Sequence, residues 1–170
     1  MQNLPGLRKL IDYNCQVLDQ ALQVISAHQS QPAVAYDRYS GPHLRHIVEH
    51  YEALVSQVAG RSVDYDSRAR DRRIERDPTH ARERIESLQV QLHSLRDYSS
   101  SAPLAVHLRG GLGGEENFVS FSTLDRELLF VASYAVHHYA LIQLHCRAAG
   151  IDLGDDFGKA PSTVRHEQQS

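Results

Sequence analysis

The chain holds eleven histidines in 170 residues, and six of them fall into two helix-like segments. His43, His46 and His50 lie in GPHLRHIVEHYEAL; His137, His138 and His145 lie in SYAVHHYALIQLHCRAAG. Imidazole changes charge near neutrality and is the commonest metal-ligating side chain. Two such helices facing one another would build a site inside a bundle, where cofactor and metal groups are held by side chains of opposed helices. On a helical wheel His43, His46 and His50 fall within roughly 60° of one another. Ile47, Leu54 and Val58 flank them, so these rings border a buried face. In the second segment Phe130, Tyr134, His138, Leu141, Ile142 and His145 share one arc, and Glu127 extends its polar strip. Tyr134 and His138, four residues apart, are neighbours on that strip. Polar groups inside an apolar arc are costly unless satisfied. A metal, a bound ligand or a hydrogen-bond network would each satisfy them.

The elements that must position these rings are mostly helices. Leu7, Leu10, Ile11, Leu18, Leu22 and Ile25 recur at helical spacing and predict a helix over residues 5–28. Pro32 breaks the connector at 29–40. Ser40 as N-cap and Pro42 in the first turn open a second helix that runs to about Ala59 and stops at Gly60. Residues 61–77 read as charged and irregular. Asp77-Pro78 opens a third helix reaching about Tyr98, with Ile85, Leu88, Leu92 and Leu95 as its stripe. PLAVHL and NFVSF flank the glycine-rich RGGLGGEE and predict a β-hairpin. That loop lacks the Lys-Ser/Thr ending and following helix of a phosphate loop. Thr123 to Ala149 forms the last long helix, with Gly150 closing it. The polar tail 161–170 is expected to be loose.

Composition narrows the function classes. One domain over residues 1–160 suits this length, and 41% apolar with 23% charged residues is ordinary for a globular chain. A net charge of −3 argues against nucleic-acid or membrane-surface binding. Between residues 61 and 86, eight Arg face seven Asp or Glu, a balance that predicts ion pairs. Arg68, Arg72 and Arg73 are candidates for contacting an anionic substrate, against their reading as a salt-bridged surface loop. Cys15 and Cys146 are too few for a disulfide framework and read as core or boundary residues. MQNLPGLRK carries no secretory signal and no segment is apolar enough to span a bilayer, so a cytoplasmic location is expected.

GPHLRHIVEHYEAL, TLDRELLFVASYAVHHYALI, VDYDSRARDRRIERD, the hairpin runs and DFGKAPST together resemble the DinB/YfiT-like superfamily, over most of the chain and close to one uncharacterised proteobacterial branch. The resemblance implies an all-α four-helix bundle with a small hairpin before the last helix, and a homodimer formed through exposed helix faces. It also implies a divalent metal, often nickel or zinc, on one histidine of the second helix and an H-x-x-x-H pair on the last. His46 matches the first of these and His138 the second member of the pair. The first member falls at Tyr134, which is not histidine. His50 or Glu127 could complete the set, with Tyr134, His50, His137 and Glu127 surrounding the ion. Alternatively, Tyr134 donates a hydrogen bond to His46 or His138 in a metal-free site. The implied activity is a metal-dependent transferase or hydrolase using a thiol or water nucleophile. The alternative is a non-catalytic dimeric bundle with a metal-free polar pocket that has a structural role or takes a small molecule.

Overall fold

A computed structural model describes residues 5–169. Helices α1 (Pro5–Ser30), α3 (Gly41–Gln57), α5 (Pro78–Ser94) and α6 (Leu124–Ala148) are the long ones. Helix α1 packs on α5 and α6, and α3 packs on the same two from the other side. Their stripes meet in one core: Leu7, Ile11, Leu18 and Ile25 from α1, Leu44, Ile47 and Leu54 from α3, Ile85, Leu88 and Leu92 from α5, and Leu128, Ala135, Tyr139 and Ile142 from α6. At about 25 cal/mol per Å2, burial of such side chains is the main force holding the helices together.

The all-α expectation is overturned. The described residues contain seven α-helices and a three-stranded sheet in the order β1 (Ser62–Asp64), β2 (Pro103–Gly110), β3 (Glu116–Thr123). Strands β2 and β3 are the hairpin, Gly110 facing Glu116 and Pro103 facing Thr123. Strand β1 lies parallel to β2, Ser62 opposite Ala105 and Asp64 opposite His107. A parallel pair needs a long crossover, supplied here by the short helix α4 (Arg72–Arg76) and α5. The physical reason for β1 is alternation inside a charged stretch. Val63 and Tyr65 turn inward and are buried, while Ser62, Asp64 and Asp66 between them remain partly or fully exposed.

Three further local expectations are corrected. The connector 29–40 contains a one-turn helix α2 (Tyr36–Tyr39). Ser40 does not cap α3 with its side chain; its hydroxyl pairs with His28 Nε2 at 2.7 Å instead. The tail carries a helix α7 (Pro161–Glu167), begun by a proline in its first turn and tied back by Lys159 Nζ donating to Glu167 at 2.5 Å. Asp77 caps α5 as expected, accepting from the Thr79 and His80 amides at 2.9 and 3.3 Å. Gly150, at φ 81°, closes α6 while the Ile151 amide donates back to Cys146. Among the described residues, no helix is long and apolar enough to cross a membrane.

Candidate functional site

Helices α3 and α6 cross so that their histidine strips meet. His43 Nδ1 lies 2.9 Å from His138 Nδ1. The ring of His46 is nearly parallel to that of His138, with centroids 5.7 Å apart. His145 stacks on the other side of His43 at 6.1 Å, and Tyr39 of α2 follows at 5.9 Å from His145. His50 sits one turn further along α3, against Tyr134 at 4.0 Å and Tyr65 at 5.6 Å. Tyr134 in turn lies 4.6 Å from His138. The result is a continuous row of rings along the α3–α6 seam.

Burial grades along this row. His50 is buried, His43, His46, Tyr134 and His138 are half-buried, and His137 and His145 are exposed. Burial is the first cause that lowers the pKa of His43, His46, His50 and His138, because it disfavours the charged imidazole. Neighbouring positive charge adds to it: other histidines around His43 and His138, Arg45 and Arg68 beside His46. His50 and His138 are pushed down to about 4. These rings are therefore neutral at pH 7, with a lone pair on one nitrogen each.

Arg68 closes one end of the row. Its Nη1 lies 3.1 Å from His50 Nδ1 and 3.5 Å from His46 Nδ1. His50 Nδ1 is also 2.7 Å from the His46 carbonyl oxygen. One ring nitrogen cannot accept from the guanidinium and donate to the carbonyl together, so the two contacts belong to alternative tautomers. Glu127 stands behind this end. It is 5% exposed and accepts from the Tyr65 hydroxyl at 2.7 Å and from Ser122 Oγ at 2.5 Å. Burial first, then the Glu127 carboxylate, raise the Tyr65 phenol far above its usual range, so it stays a donor.

The sequence-derived residues thus divide. His46, His50, Tyr134 and His138 share the row. Glu127 reaches it through Tyr65. His137 touches His138 edge-on and faces outward, and Arg73 is drawn away to Asp71. His43, the ring whose nitrogen meets His138, had no preference from spacing. The signal available was its position three residues before His46, on the same face.

The donor set can be tested against a metal. Two nitrogens bound at about 2.0–2.1 Å to one zinc lie roughly 2.9–3.4 Å apart, depending on the angle between them. The His43–His138 gap falls at the near end of that range, and it is equally the length of a ring-to-ring hydrogen bond. A closed cage is absent: among the described residues, no group of three or more His, Cys, Asp or Glu side chains is arranged to hold an ion. The chemistry within reach is that of an open pair of neutral imidazoles, suited to cation binding or proton exchange.

No protein-family model matches the chain. It is 32% identical over 104 residues to FK506-binding protein 5 of Rhizopus delemar, a stretch covering 61% of this chain and 27% of that protein. The chain therefore spans about a quarter of the length of the curated relative it matches. No solved structure matches.

Proposed function

We propose that this is a DinB-like protein whose α3–α6 imidazole row binds a divalent cation, nickel or zinc, through His43 and His138. The carrying observation is the 2.9 Å separation of their Nδ1 atoms, between rings that burial keeps neutral. His46 is the nearest further imidazole donor. Such an ion lowers the pKa of a bound water or thiol, the chemistry of a metal-dependent hydrolase or transferase. This chain's own residues would orient and exclude. Tyr134 and His50 pack together on the Arg68 side of the row, and Arg68 holds a fixed positive charge beside them. We further propose a cytoplasmic homodimer; Leu129 and Leu144 on α6, 51% and 67% exposed, are apolar side chains that such an interface would cover.

Calorimetric titration of chelator-stripped protein with Zn2+ and with Ni2+ tests the site. One equivalent, lost in both His43→Ala and His138→Ala, is the expected outcome. Unchanged binding in both variants would count against the assignment.

A second reading is supported by the same contact. If one ring donates to the other, His43 and His138 satisfy each other, and Tyr134 packs against them in a metal-free polar pocket. Wild-type protein that takes up no Zn2+ or Ni2+ selects this reading.

A further inference from the structure

Beside the imidazole row, and outside the His43–His138 pair, lies a cavity of about 370 Å3 between α3, the segment 68–72 and α4. That is the lower end of the range for small-molecule sites. Its walls carry Arg45, Arg68, Arg70, Arg72, Glu49 and Glu75, and His46 borders it. Glu75 is already engaged, with Arg72 Nε at 3.0 Å and Arg45 Nε at 3.2 Å. The charges left over are Arg68 and Arg70 on one side and Glu49 on the other. None of the three forms an ion pair among the described residues.

Glu49 is the unusual member. It is 2% exposed, and its Oε1 has no hydrogen-bond partner. A buried carboxylate oxygen left unmatched is costly and calls for a donor. Arg68 presents the complementary defect, since its Nε is buried and also without a partner. Glu49 and Arg68, the residues that carry this acceptor and this donor, line the same cavity; Arg45, whose Nε also lacks a hydrogen-bond partner, is held by its ion pair with Glu75. Arg70, which also lines it, holds a left-handed backbone at φ 51°, a conformation L residues adopt at some cost. Strain of this kind, where a loop lines a cavity, is characteristic of binding sites.

We propose that this cavity recognises a small zwitterion of the α-amino-acid type, its ammonium on Glu49 and its carboxylate on Arg68 and Arg70. Either group alone would leave Glu49 or Arg68 without an opposite charge. The recognition requires no metal, so its failure and the failure of the cation site are separable.

The test is calorimetric titration of chelator-stripped, full-length protein with L-alanine, L-glutamine, propionate and ethylamine. The amino acids should bind at least about tenfold more tightly than propionate or ethylamine, as a charge-assisted hydrogen bond implies. Glu49→Gln should reduce the amino acids to the level of propionate. Arg70→Ala, at an exposed position where folding is not at stake, should weaken the amino acids and propionate several-fold and leave ethylamine unchanged. Equal binding of L-alanine and propionate, an undiminished preference in Glu49→Gln, or no binding of any probe, as when water alone bridges Glu49 and Arg68, would overturn the proposal.

Discussion

Acidification should weaken the metal-free fold through His50. Its pKa falls from 6.5 to about 4 on folding, chiefly through burial against Tyr134 and Tyr65. Between those two values the unfolded chain binds more protons than the folded one, so stability rises with pH across this window. The folded state is fully favoured above pH 6.5, loses ground as pH falls, and the loss levels off below about 4. At pH 5 the difference amounts to about 2 kcal/mol for this ring alone. Relaxation of Arg68 and entry of water reduce that to about 1–2 kcal/mol. His50→Gln, which retains a polar side chain of similar length, removes the titrating group. The assay is urea denaturation at pH 7 and pH 5, followed by far-UV circular dichroism because the chain contains no tryptophan. The wild type should lose about 1–2 kcal/mol more than His50→Gln between the two pH values. Equal losses, or a His50 ring that titrates near 6.5 by NMR, would refute the reasoning.

Other perturbations follow from the packing. Gly41 begins α3, where a Cβ would overlap the Glu75 backbone carbonyl, so Gly41→Ala should cost about 2–3 kcal/mol. Gly60→Ala, with nothing within 4 Å of the added carbon, should change urea stability by less than about 0.5 kcal/mol. Ser40→Ala leaves the fully buried His28 Nε2 without its hydroxyl partner and should cost about 1–3 kcal/mol by the same measurement. Tyr65→Phe removes one of two donors to buried Glu127 and should cost about 1–3 kcal/mol. Adding Ser122→Ala should give a non-additive double-mutant cycle, because both hydroxyls serve one carboxylate.

The long helices can be read from spacing because each buries one stripe. Pro42, Pro78 and Gly150 mark boundaries within a residue or two of those observed. Strand β1 was hidden by its charges. RSVDYD alternates with period two, yet only Val63 and Tyr65 are inward, too short a run to outweigh two neighbouring acids and an arginine. Helix α4 is five residues long, and its cap at Asp71 stands in a stretch dominated by ion pairing. At the site, the strips on α3 and α6 are visible in sequence because they depend on rotation about each helix axis. Which imidazoles touch depends instead on how far one helix slides along the other. The observed crossing brings His43, a turn earlier than His46, against His138. Spacing within one helix carries no information about that displacement. Glu49 escaped notice for a similar reason, and the sequence that offered Arg68 as an anion contact could not pair the two, since a missing hydrogen-bond partner is a property of the assembled walls.

The central claim, a cation held by His43 and His138, is tested most directly by X-ray absorption at the zinc edge on protein loaded with one equivalent. The account expects two imidazole nitrogens at about 2.0–2.1 Å, with the imidazole scattering lost in His138→Ala. A spectrum of oxygen ligands only, or one indifferent to both His43→Ala and His138→Ala, would contradict it.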